Sequence, residues 1–166
     1  MAPQADFDTA AAHKYFAATC FNACWPIIDQ PTRTMEDAER LIALGYTSLW
    51  HWMQREDCTP KNLSIAHWLL SRIYAVLGDA PMAQRYGGSC LRISMEGGVA
   101  PMFLAFAYEA LARAALVQRD WQTVGEYLQQ ADAIAEQVTD PEDRKILSAD
   151  LSTIRDAFDI AESEPS

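Results

Sequence analysis

Little in this chain can stop a helix. Seven glycines and eight prolines are spread over 166 residues. Most fall between apolar stretches rather than inside them, which argues against disorder away from the ends. Four cysteines, Cys20, Cys24, Cys58 and Cys90, form no CxxC pair, and their spacing does not suit a small secreted disulfide framework. No run approaches ~18 uninterrupted apolar residues, so no membrane-spanning helix is expected. Bases are scarce late in the chain: from Asp120 onward twelve acids face three bases. That imbalance argues against nucleic-acid backbones and anionic membranes as partners. Arg85 and Arg92 share a helical face, but two bases in an acidic protein make no nucleic-acid surface. The opening MAPQADFDTAAAHKYF has no basic start followed by an apolar run, so no signal peptide is expected and the cytoplasm is the expected compartment.

Chemical motifs are missing too. The chain has no G-x-S-x-G and no HExxH, and no glycine-rich loop follows a strand, because no strand pattern is found. Nothing in it calls for a cofactor.

What is present is apolar residues at helical spacing. Half of the residues are hydrophobic and five are Trp, enough for a core without staples in a chain that fits one domain over 1–166. Helices are expected at 7–25, 35–54, 60–77, 80–95, 100–118, 121–138 and 141–160. Residues 1–6 and the last residues, SEPS among them, are expected to be loose. Phe7, Ala11, Phe16, Cys20 and Ala23 mark a stripe on the first helix. Pro26 either ends that helix or allows one more turn. Thr34 and Thr59-Pro60 are strong start signals. Gly45 and Ser48 would let a neighbouring helix come close. Gly87-Gly88 implies either a close helix contact or a kink. In the last helix Leu147, Leu151, Ile154 and Phe158 form a one-sided stripe suited to capping a stack.

Residues 62–94 and 103–138 repeat one another at an offset of 41. Leu70-Ser71, Tyr74, Gly78-Asp79, Ala83 and Cys90 correspond to Leu111-Ala112, Ala115, Arg119-Asp120, Val124 and Ala131. The pattern resembles the tetratricopeptide repeat (TPR) in its small residue, Tyr, Gly with an acid after it, and Ala in the second helix. It departs at Gly87, where an aromatic is usual, at His67, where Trp is frequent, and at the missing turn glycine of the second unit. The whole chain also looks similar to uncharacterised bacterial repeat-like proteins. The resemblance implies an all-α, right-handed stack of antiparallel hairpins, with 7–54 as a diverged first hairpin, 60–96 and 100–138 as TPR-like hairpins, and 141–160 as a capping helix. It also implies that the first helix of each unit lines a concave groove.

In that geometry Ile65, Trp68 and Arg72 would face the groove beside Phe106, Glu109 and Arg113. An aromatic next to guanidinium groups suits a peptide carboxylate or another anion. The plainer expectation is an Arg72–Glu109 pair tying two helices together, with Trp68 as packing. His51 and His67 each precede a Trp, and with Glu109 they could form a metal set. Cys20 and Cys24 share a helical face and could hold a soft metal or stay buried and reduced. The first functional expectation is a module that binds a peptide or protein segment in the groove. An enzyme using a small molecule or metal near His51, His67 and Glu109 is one alternative, and a structural homo-oligomer is another.

Overall fold

The computed structural model describes residues 7–163. Residues 1–6 and 164–166, where loose ends are expected, lie outside the described residues. Among those described the chain is all-helical: α1 (Thr9–Ile28), α2 (Met35–Met53), α3 (Pro60–Val76), α4 (Ala80–Glu96), α5 (Pro101–Gln118), α6 (Trp121–Ala135) and α7 (Pro141–Ser163). None of these helices is long and apolar enough to cross a membrane.

The starts follow local chemistry. Thr34 and Thr59 each close a capping box, with Asp37 and Asn62 reaching back to the cap amide. Such a box satisfies amides that have no partner within the helix. Asp8, Asp79, Asp120 and Asp140 accept from first-turn amides in the same way.

Three ends differ from expectation, and one of them is that of α7, which runs to Ser163 rather than 160. α1 runs through Pro26 to Ile28. The carbonyl that proline leaves without an amide belongs to Asn22, an exposed residue, so water can take that role. α6 stops at Ala135 rather than 138, because Gln137 and Val138 donate to Ile134 and Ala135 in a tightened turn. The turn drives Val138 into the core, where it is 4% exposed, and Arg144 donates from Nε to its carbonyl at 3.1 Å.

The stripe expected on α1 is a correction. Phe7 and Phe16 are exposed, and the buried face is Ala17, Cys20, Cys24, Ile27 and Ile28. The reason is the approach of α2: Ser48 donates its hydroxyl to the Ala17 carbonyl at 2.8 Å. Contact that close needs a small side chain at position 17 and turns Phe16 outward. Gly45 serves α3 likewise, since a Cβ there would lie 2.6 Å from Ile73 Cδ1.

α3 packs along α4, α5 along α6 and α1 along α2, while α3 also meets α5 and α5 meets α7. Ser71 donates to the Ala83 carbonyl at 2.8 Å where α3 and α4 meet. α4 is unbroken across Gly87-Gly88, and a Cβ on Gly87 would stand 3.1 Å from Leu111 and 3.3 Å from the Ser71 hydroxyl. Close approach, not a kink, accounts for Gly87. Tyr46 shares hydrogen bonds with Tyr74 at 3.1 Å and with Tyr86 at 2.6 Å, and the Tyr74 and Tyr86 rings stack. The trio links α2, α3 and α4.

Three helix ends share one turn. Gly78 has φ +78°, Gly98 φ +56° and Arg119 φ +60°. In each the next amide bonds back five residues, Asp79 to Tyr74, Val99 to Ser94 and Asp120 to Ala115. Arg119 thus occupies a left-handed position that costs an L side chain roughly 1–2 kcal/mol. Replacing it by glycine, after allowing for the greater freedom of the unfolded chain, is expected to raise stability by about 0.5–1 kcal/mol. Urea denaturation checks this. An unchanged or lowered midpoint would mean that the turn is not strained.

Candidate functional site

Trp68 and Arg72 of α3 and Glu109 and Arg113 of α5 come together as expected, one helical turn apart on each helix. Glu109 is 1% exposed. Its Oε2 accepts from the Trp68 indole at 2.8 Å; its Oε1 accepts from Arg72 at 3.0 Å and from Arg113 Nε at 2.7 Å. The sequence reading does not include the other half of the cluster, which comes from α7. Arg72 Nη2 donates to Asp150 Oδ1 at 2.5 Å, while Arg113 Nη2 donates to the Asp150 carbonyl and to Thr153 Oγ1 at 2.8 Å.

Two guanidinium groups therefore face two carboxylates, and their charges cancel. Arg72 and Glu109 pair across α3 and α5, as the plainer expectation has it. Desolvated cations bound to fixed internal carboxylates have little left to offer a ligand. A signal for Asp150 exists in the chain: Trp68, Glu109 and Asp150 are spaced by 41 residues each. That spacing puts Asp150 on α7 at the level of Trp68 on α3 and Glu109 on α5.

Above the ion cluster lies an apolar cavity of about 290 Å³. α1 contributes Phe21 and Trp25, α3 contributes Ile65 and Trp68, α5 contributes Phe103 and Phe106, and α7 contributes Ile146 and Asp150. The rings run as a chain, with Trp25 5.7 Å from Trp68 and Trp68 5.3 Å from Phe106. Trp68 is the joint between the two layers, because its indole N–H is tied to Glu109 and its ring walls the cavity. A second apolar cavity, about 260 Å³, abuts the first between α1, α2 and α3. Phe21 and Ile65 line both.

His51, His67 and Glu109 do not converge. His51 meets His13 of α1, Nδ1 to Nδ1 at 2.8 Å. His67 donates Nδ1–H to the Leu63 carbonyl of its own helix at 2.8 Å, and Glu109 is committed to Trp68 and the arginines. Among the described residues no group of three or more His, Cys, Asp or Glu side chains is placed to hold a metal. Burial holds His67 below the ordinary imidazole value, against the pull of the Leu63 hydrogen bond.

Cys20 and Cys24 are buried and free, and the Cys24 thiol bonds to the Cys20 carbonyl at 3.3 Å. Burial pushes Cys24 up to about 12, with a contribution from Cys20, and Cys90 up to about 11. Thiols so protonated are poor metal ligands and poor nucleophiles. Cys90 instead closes a buried cluster in which Ser64 meets Ser94 at 2.7 Å and Cys90 at 3.4 Å. Iodoacetamide at pH 8 is therefore expected to label the half-exposed Cys58 first and to spare Cys24 and Cys90 until the protein unfolds. Each raised thiol keeps its full stabilising effect below the unfolded value near 9. That effect is lost as pH climbs toward 11–12, so midpoints of unfolding should fall above pH 9. Early labelling of Cys24 in peptide mass maps would contradict its burial.

Compared with known family models, curated proteins and solved structures, the chain matches none of them.

Proposed function

We propose that this chain is a binding module of TPR-like architecture. In this reading its helices form antiparallel hairpins in a right-handed stack, and the groove between first helices takes a peptide or protein segment through two apolar anchor side chains. The packing of α3 along α4 and of α5 along α6 supports the hairpin assignment. One observation carries the functional reading: two abutting apolar cavities share a ridge made of Phe21 and Ile65. Sockets of this kind take alternate or helically spaced side chains of a bound segment.

The segment recognised is apolar rather than acidic. Asp150 is the charged residue at the larger cavity, and Arg72 and Arg113 are already neutralised. Selection from a random peptide display library against the full chain is the test. Enriched peptides should share two apolar residues at fixed spacing and should lose binding to Ile65→Trp, which fills the ridge without touching the ion cluster. Enrichment of acidic peptides, or undiminished binding to Ile65→Trp, would sink the reading.

Self-association is a second reading, favoured by Tyr15, Phe16, Trp50 and Met53, all large and exposed on α1 and α2. A monomeric mass in sedimentation equilibrium at high micromolar concentration would end it.

A further inference from the structure

The pairing of His13 with His51 has no part in the groove. The two imidazoles come from different helices and meet Nδ1 to Nδ1 at 2.8 Å. The rings are held by their surroundings: Trp50 lies 5.4 Å from His13 and 4.8 Å from His51, and Phe16 lies 5.3 Å from His51. Both histidines are only half-buried, so an ion can reach them from solvent.

As two neutral rings they share one hydrogen, with one nitrogen donating and the other accepting. Two protonated rings could not meet this way. A metal ion bonded to both nitrogens would sit beside the line that the hydrogen occupies, so each ring must turn by about 45° to aim its lone pair at the ion. Metal–imidazole bonds of about 2.0–2.1 Å place adjacent nitrogens about 2.8–3.0 Å apart at a right angle and about 3.3–3.4 Å apart in a tetrahedron. The two nitrogens need to part least for right-angled positions, the tetragonal geometry of Cu²⁺ and Ni²⁺, and more for tetrahedral zinc. Beside His13 lies an open cleft of about 560 Å³ that includes Asp8, Glu56 and Asp57 with Lys14 and Arg55, a surround with a slight excess of negative charge.

We propose that His13 and His51 form a bidentate site for a divalent transition ion, Cu²⁺ or Ni²⁺, with water in the remaining positions. Among the described residues no third side chain joins the pair, so the ion keeps open coordination positions. The site bridges α1 and α2 and is independent of the peptide groove: neither histidine lines either cavity.

Tag-free full chain titrated with NiCl₂ and with CuSO₄ in a calorimeter tests this. One saturable equivalent is expected. Its affinity should fall at least tenfold in His13→Ala and in His51→Ala and stay unchanged in His67→Ala, whose ring is tied to Leu63. Each variant is checked by circular dichroism. On the unaltered protein, the electron paramagnetic resonance spectrum of one equivalent of Cu²⁺ should show coupling to two imidazole nitrogens. Absence of saturable binding, undiminished affinity in either variant, or coupling to a single nitrogen would overturn the site.

Discussion

Glu109→Ala is expected to destabilise the protein by about 3–5 kcal/mol, the cost of removing one partner from a buried ion pair. The carboxylate is 1% exposed and accepts from three side chains. Its loss leaves the guanidinium groups of Arg72 and Arg113 buried with half their compensation gone and strands the Trp68 N–H. Glu109→Gln keeps the shape and one acceptor but not the charge, and should cost less. A substitution that removes charge from both sides tests the same point. Arg72→Met combined with Glu109→Leu should be less damaging than Glu109→Ala alone, because one charge of each sign is removed and the remaining Arg113 and Asp150 still balance. Chemical denaturation of the three variants gives the ordering. If Glu109→Ala costs under about 1 kcal/mol, the cluster behaves like an exposed ion pair. Its arginines would then be free to meet an anion after all.

The helices were legible because their signals are local. Threonine or aspartate caps, proline at the first turn and apolar residues at helical spacing each act within a few residues of where they stand. The all-α class and seven helices follow from them. The errors lie where a neighbour decides. Phe16 reads as core on periodicity alone, and only the contact between Ser48 and the Ala17 carbonyl turns it outward. Val138 reads as the end of a helix, whereas it is a buried plug after the helix has stopped.

The candidate site was half legible. Trp68, Arg72, Glu109 and Arg113 share faces at i, i+4 on two helices that the repeat brings together, so their meeting follows from spacing. The offset of 41 would also have found Asp150 had it been carried past the second unit. No spacing rule pairs His13 with His51, which lie 38 residues apart on two helices outside the clear repeat. The tyrosine trio escaped for the same reason. Tyr46 belongs to α2, and its two partners sit on α3 and α4.

The place of α7 follows from both halves of the site. Leu147, Leu151 and Ile154 are each at most 2% exposed and pack in one core cluster with Ala112 and Ala115 of α5 and with Val124 and Leu128 of α6. The same helix sends Asp150 to Arg72 and walls the larger cavity with Ile146. One helix thus covers the apolar face of α5 and α6 and walls the cavity.

Leu151→Ala should therefore act at two levels. The buried deletion alone is expected to cost about 2–5 kcal/mol. Asp150 lies next in the chain, so any shift of α7 that closes the void also disturbs the bond to Arg72. Asp150→Asn by itself removes a carboxylate that is 22% exposed and still leaves Arg72 bonded to Glu109; it should cost less than Leu151→Ala. Combining the two should cost less than the sum, since a loosened α7 has already weakened what Asp150→Asn deletes. A double-mutant cycle in guanidinium chloride measures that difference. Strict additivity would mean that α7 docks on α5 and α6 without holding the ion cluster in place, and its acid would then be a bystander at the cavity rim.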